Sequence, residues 1–356
     1  MDTAGARLEC FATRRMDPHV TSEQSGDGER SSPRVSVVIP VYDGAKHLRA
    51  AVECMLQQTL TDIEVIVVDD GSTDETPEVL RSFMGDPRLR VITHVTNLGL
   101  VASLNAGIEA AQAPLIARMD ADDWSAPTRL ARQVALFDSD PRMVLSATHF
   151  AVVDAAGEAH RVIPTFGSRG RLMLAMAAFN CIGHSTAMFR KDVVERAGGY
   201  RAEWMPGEDY DLWLRLLPLG SVGVVPSVEV RYLDNPNGIS HRMTAMLTDH
   251  GQRLAARWLR TLAGDGDSER DDGDQPMLVT VRQWGRASRR VRQNLRAEDS
   301  TVREVRMQGL LGAMRVVRGQ NVLVRHLVVV GLCPILYVGG QVERLLRKLG
   351  NSDPLR

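Results

Sequence analysis

Three apolar runs in the first third of the chain each break off into polar residues, and no other feature restricts the possible folds as tightly. They are Val35-Ser36-Val37-Val38-Ile39-Pro40-Val41-Tyr42, Ile63-Glu64-Val65-Ile66-Val67-Val68-Asp69-Asp70-Gly71-Ser72, and Pro114-Leu115-Ile116-Ala117-Arg118-Met119-Asp120-Ala121-Asp122-Asp123. Each has the pattern of a buried strand. The intervening segments suit helices: Ala45 to Gln58 carries Leu48, Val52, Met55 and Leu56 at helical spacing. Thr73-Asp74-Glu75-Thr76-Pro77 supplies caps and early acids ahead of Val79, Leu80 and Phe83. Leu89 to Ile92 continues as strand and Leu100 to Ala111 as helix, so the order is β-α-β-α repeated.

In an open α/β sheet the ligand crevice lies outside the carboxyl ends of the strands, so all three polar endings face one pocket. The densest is Asp120-Ala121-Asp122-Asp123. Three carboxylates where a buried strand surfaces are costly unless a cation or hydrogen-bonding ligand takes up the charge, which reads as a metal and diphosphate site. An Asp-x-Asp triplet alone is a weak signal, because aspartate is common at strand ends and helix N-caps. The other two strand endings give it weight.

These pieces, with GHSTAMFRKDVVERAGGYR and GEDYDLWLRL further on, resemble an inverting family-two glycosyltransferase of the GT-A fold, across roughly residues 35–246. Five motifs stand in the family's order. The resemblance implies an α/β Rossmann-like mixed sheet with flanking helices, a nucleotide-diphospho-sugar donor, most simply UDP-linked, and a glycan or lipid-linked acceptor. It also implies Mg²⁺ or Mn²⁺ as cofactor, hard ions suited to carboxylate oxygens and substrate phosphates.

Carried onto this chain, the resemblance makes Asp122 the metal ligand and brings Asp120, with Ala121, to the ribose or to the metal through water. Pro40, Val41, Tyr42 and Asp70 read the base, where a carboxylate can accept an imide N–H and a tyrosine ring can stack. Asp43 and Asn97 line the same pocket. Glu208-Asp209 opens an amphipathic helix, and Asp209 matches the family's general base for the acceptor hydroxyl. In an unknown chain that pair would read as acids suited to a helix N-terminus. His184, at a strand edge, either orients acceptor or phosphate or is simply hydrogen-bonded. Arg231 to Arg242 resembles a flexible loop closing over the donor, with Ser240, His241 or Arg242 near the diphosphate. Processive relatives carry Gln-x-x-Arg-Trp; here Gln252 and Arg257-Trp258 are spaced too far apart, so one sugar per encounter is expected.

The domain plan follows from composition. The apolar fraction, 44 % of 356 residues, is enough for a sizeable core in one domain, placed at 34–262. Residues 1–33 lack periodicity and an apolar leader core and read as a disordered tail. Residues 263–275 read as an acidic linker, and 276–356 as a basic, mostly helical extension. From Arg282 to Lys348 there are fourteen Arg or Lys against four Asp or Glu, a net of +10 in a chain whose total is −1. Two readings stand for that extension: a helical hairpin packed on the catalytic domain, or attachment to an anionic membrane surface. The apolar stretch 322–340 is broken by Arg325, His326 and Pro334 and falls short of a spanning helix.

The four cysteines, Cys10, Cys54, Cys181 and Cys333, form no Cys-x-x-Cys pair, so neither a zinc site nor a disulfide framework is expected. A cytoplasmic setting is the default, with a peripheral position at the inner face of the cell membrane as the alternative. The remaining acidity makes nucleic acid a poor partner. Neither a Gly-x-Gly-x-x-Gly turn nor a phosphate loop is present, which leaves a catalytically inactive sugar-nucleotide-binding or scaffold module as the rival to the enzyme.

Overall fold

The computed structural model describes residues 32–264 apart from Ser168, together with Ala287 and Arg290. The tail before residue 32 and nearly all of the linker and basic extension lie outside the described residues.

The first half is a run of parallel βα units. Strands β1 (Val35–Val41) and β2 (Ile63–Asp69) are buried at every position, as their apolar runs require, whereas β3 (Leu89–Thr93) is only half-buried at the edge. Helix α1 (Ala45–Leu56) buries Leu48, Val52 and Met55, the stripe its sequence spacing sets out. Helices α2 (Thr76–Arg81) and α3 (Leu100–Ala110) complete the units. Gly107 lets α3 lie close on the sheet, since a Cβ there would come within 2.4 Å of a Val38 methyl.

After α3 the chain returns to the other side of β1 as β4 (Leu115–Arg118), then adds β5 (Trp124–Ser125), α4 (Arg129–Ser139), β6 (Met143–Val153), β7 (Ala159–Ile163) and α5 (Arg169–Ala175). Strand β8 (Met188–Arg190), α6 (Lys191–Arg196), α7 (Glu208–Leu216), β9 (Ser221–Leu233), α8 (Ile239–Arg242) and α9 (Thr244–Ala263) finish the described chain. The sheet order is β3-β2-β1-β4-β8-β6-β9-β5, with β7 also on β6. Strands β3 to β4 are parallel, while β8 pairs antiparallel with both β4 and β6. The strand order therefore reverses between β1 and β4, which opens a crevice at their carboxyl ends.

At the opposite end of these strands the buried Glu64 is fully engaged. It accepts from Ser36 Oγ (2.6 Å), the Gln112 N–H (2.6 Å) and Arg90 Nη1 (2.7 Å). That carboxylate ties β1, β2, β3 and the entry to β4 together and has no part in the crevice. Helix α7 is seated on the sheet through Trp213, whose ring centroid lies 5.8 Å from that of Phe189 in β8.

Candidate functional site

At the β1 and β2 ends, two loops are stitched together. Asp43, held at φ 47°, accepts from the backbone N–H of Thr73 (2.8 Å), while its own N–H donates to Ser72 Oγ (2.9 Å). The Gly44 N–H donates to Thr76 Oγ1 (3.0 Å) and the Ala45 N–H to Asp74 Oδ2 (3.1 Å), so α1 is capped from the neighbouring loop. The Asp43 carboxylate thus shapes the pocket wall by fixing backbone. Beside it the Tyr42 ring is 49 % exposed, open enough to offer a face to a planar ligand.

Asp70, just past the end of β2, is buried. Its Oδ1 meets His94 Nδ1 (2.7 Å) and the Leu98 N–H (2.9 Å), and its Oδ2 accepts the Gly99 N–H (2.7 Å). Burial works against the charge, but the bonds from His94, Leu98 and Gly99 outweigh it and hold the carboxyl below its ordinary value. A carboxylate has about four lone-pair positions, so one is left on Oδ2. Gly71, at φ +74°, lies where a Cβ would come 2.8 Å from the Thr96 carbonyl carbon, and the segment carrying Asn97 packs against it. Asn97 itself accepts the Gly99 N–H through Oδ1 at 3.0 Å.

At the β4 end the acidic cluster surrounds a buried guanidinium. Arg118 pairs with Asp120 and donates from Nη1 to Ser185 Oγ at 3.0 Å. The Ser185 hydroxyl also accepts the Asp120 N–H (3.0 Å), and it reaches both Asp120 Oδ2 (3.0 Å) and the Asp123 carboxyl. Asp123 is buried, and burial, then the charges of Asp120 and Asp122, raise it well above the ordinary value. Its Oδ1 accepts the Leu233 N–H (2.9 Å), and Asp122 Oδ2 accepts from Asn235 Nδ2 (3.2 Å). The segment after β9 is therefore tied directly to the acidic cluster. A second buried guanidinium, Arg129, donates to the Arg118 carbonyl (2.8 Å) and fixes the strand end from below.

The second group of carboxylates lies in the first turn of α7, where the resemblance expects the base for the acceptor hydroxyl. Glu208 is buried and Asp209 partly so. Burial, then the charge of Asp209, pushes Glu208 up to about 7, and burial pushes Asp209 up to about 6. Two adjacent residues join this pair to the acidic cluster: Ser185 lies 3.0 Å from Asp120, and His184 Nδ1 lies 3.9 Å from Glu208 Oε1.

Two expectations need correction. His184 is not at a strand edge but opens a 3₁₀ turn, His184–Thr186, whose tight geometry lets residues 184 and 185 face different neighbours. It meets the Tyr200 hydroxyl at 2.7 Å, and burial, then Arg118, keeps the ring neutral. The stretch read as one loop from Arg231 to Arg242 is strand through Leu233 and helix from Ile239, leaving only Asp234–Gly238 between. The β9 pairing with β5 and the Arg231 guanidinium over the Trp124 ring, 4.8 Å from its centroid, account for the strand. Ser240 accepts from Tyr232 Oη (3.4 Å) and His241 Nε2 meets Asp234 Oδ1 (2.6 Å), both within their own segment.

Residues 36–197 match the glycosyl transferase family 2 profile. The amylovoran biosynthesis glycosyltransferase AmsE of Erwinia amylovora is 34 % identical over 189 residues, 52 % of this chain and 70 % of AmsE. The O-antigen biosynthesis glycosyltransferase WbnJ of Escherichia coli is 30 % identical over 187 residues, 51 % of this chain and 71 % of WbnJ. The chain belongs to glycosyl transferase family 2. A crystal structure of S. aureus TarS 1–349 in complex with UDP-GlcNAc shares the fold, with TM-score 0.54 and 17 % identity over 90 % of this chain and 93 % of that one. The mixed sheet with flanking helices is thus the GT-A glycosyltransferase architecture.

Within this family-two glycosyltransferase, no group of three or more His, Cys, Asp or Glu among the described residues is arranged to hold a metal by protein ligands alone. The donor set nevertheless fits a hard cation that takes one or two carboxylates and completes its shell with phosphate and water. Asp122 is raised by burial and then by Asp120, which together outweigh the Asn235 hydrogen bond and the charges of Arg118 and His47, so a cation there would favour its ionised form. Arg118, Ser185, His94 and Asn235 were given no individual role by sequence reasoning, and Asp123 only a place in the acidic run. Arg118 carried a signal, a charged residue inside an apolar strand immediately ahead of acids; Ser185 and Asn235 lie in segments the resemblance covers, and His94 carried none.

Proposed function

We propose that this glycosyltransferase moves one sugar per encounter from a UDP-linked donor to an acceptor hydroxyl, with inversion, in the synthesis of a surface polysaccharide or lipid-linked glycan. The observation that carries the reading is the His184–Ser185 pair, which brings the strand-end carboxylates and the α7 carboxylates into one site. Tyr42 stacks on the base, and the remaining lone pair of Asp70 accepts its imide N–H. Asp120 meets the ribose. Asp122 would hold Mg²⁺ or Mn²⁺, which would supply charge stabilisation to a leaving diphosphate. Asp209 removes the proton of the acceptor hydroxyl as it attacks the anomeric carbon from the face opposite the leaving group. The buried, neutral His184 and Tyr200 support that wall without adding charge.

The test is calorimetric titration of the full chain with UDP, with and without Mn²⁺, repeated on Asp122→Ala. Metal-dependent binding lost in the variant supports the diphosphate site. Absence of UDP binding with any metal, alongside binding of GDP or dTDP, would replace the donor.

A further inference from the structure

Glu208 and Asp209 compete for charge in the same helical turn, yet the fold treats them differently. Glu208 Oε2 accepts the Gly207 N–H at 2.9 Å, and its own backbone N–H also favours the charge, but no side chain donates to it. Asp209 accepts at both oxygens: the Tyr210 N–H reaches Oδ1 at 2.6 Å, and the side-chain amide of Asn180 reaches Oδ2 at 2.8 Å. Asn180 lies outside α7, on the segment between α5 and the His184–Thr186 turn, flanked by the buried Cys181 and Ile182. Its orientation is fixed chemically. The Ile182 N–H donates to Asn180 Oδ1 at 3.2 Å, which only the oxygen can accept, so the NH₂ end is the one turned to Asp209.

We infer that Asn180 is a positioning residue of the transfer reaction, an amide donor that fixes the rotation of the Asp209 carboxylate and keeps Asp209 the ionised member of the pair. The inference rests on Asp209 acting as the base. A base must be ionised before it can take a proton, and a partly buried aspartate beside a second carboxyl holds its charge only if donors are aimed at it. The other groups facing it divide. Arg118, from the β4 end, favours the charge, while Asp120 opposes it. Glu208 repels it from the same turn, Tyr200 and Tyr210 face it as neutral groups, and His184 stands beside Glu208. Asn180 is the donor in this set that comes from neither α7 nor the nucleotide side, so it can act on the base without touching the donor pocket.

The experiment is a pH titration of the carboxyl carbons of the full-length protein by ¹³C NMR, with the Asp209 signal assigned by its loss in Asp209→Asn. Asn180→Ala is expected to raise the Asp209 titration by about one unit, the usual effect of losing one strong donor to a charged form. Asn180→Asp, which is isosteric but adds a negative charge, is expected to raise it further and serves if the alanine variant does not fold. UDP affinity in Mn²⁺ stays at the parent value in both. With a competent donor and acceptor, the acid limb of kcat moves up by the same amount while the donor KM is unchanged, and turnover recovers in alkaline buffer. An Asp209 titration unmoved in both variants overturns the inference. A moved titration with an unmoved rate profile instead leaves Asn180 holding Asp209 and removes Asp209 as the base.

Discussion

Glu208→Gln should make this enzyme more stable at alkaline pH, because the site holds a carboxyl the fold would rather keep protonated. Burial and Asp209 raise Glu208 from 4.5 to about 7. A carboxyl that binds its proton more tightly folded than unfolded loses stability as pH rises from about 4.5 through about 7, and the loss is complete above that range. At 1.36 kcal/mol per unit the cost is about 3 kcal/mol at pH 8. Glutamine keeps the shape and can still accept the Gly207 N–H that Glu208 Oε2 takes at 2.9 Å. Removing the charge also relieves Asp209, which moves toward its ordinary range. Thermal unfolding without nucleotide or metal should show the variant melting roughly 6–12 °C above the parent at pH 8, with the gap nearly closed at pH 4.5. Other raised carboxyls, Asp122 and Asp123 among them, are common to both proteins and cancel in the comparison. A gap that is independent of pH, or a variant less stable at pH 8, would refute the argument.

Asp209→Asn should retain Mn²⁺-dependent UDP binding while transfer falls by about 10²–10⁴, the usual worth of a positioned base; near-normal turnover would show the base to be misassigned. Gly107→Ala sets a helix-propensity gain of about 1 kcal/mol against overpacking of about 1–3 kcal/mol. With the new methyl 2.4 Å from Val38 Cγ1 on a fully buried strand, overpacking wins. The urea midpoint should fall with an unchanged slope, and a raised midpoint would contradict the close helix–sheet contact. The net +10 between Arg282 and Lys348 should carry the full chain onto phosphatidylserine vesicles at low salt and release it at high salt. Equal binding to neutral vesicles would dismiss an electrostatic membrane role for that extension.

What the sequence made legible, and what it hid, divides by the range of the interactions involved. Strand positions were legible because burial acts on consecutive residues: the runs read to Tyr42 and Ser72 contain the observed strands Val35–Val41 and Ile63–Asp69, and Leu48, Val52 and Met55 mark the buried face of α1 at helical spacing. The reversal of strand order between β1 and β4 is not written in those runs and comes from the pairing of β4 with the other side of β1. Side-chain partners were not legible, because their sequence separation has no relation to their proximity. Asp120 and Ser185 are 65 positions apart, Asp123 and Leu233 are 110, and Asp122 and Asn235 are 113. The two errors of local structure have the same origin. Residues 184–186 form a 3₁₀ turn because Ser185 is drawn to Asp120 and His184 to Tyr200, and residues 231–233 are strand because Trp124 and Ser125 pair with Arg231 and Val230. The acidic cluster thus organises structure well beyond itself. Arg118, Ser185 and the segment after β9 gather around these carboxylates and hold their charge, so residues far apart in sequence are joined at one strand end by its electrostatics.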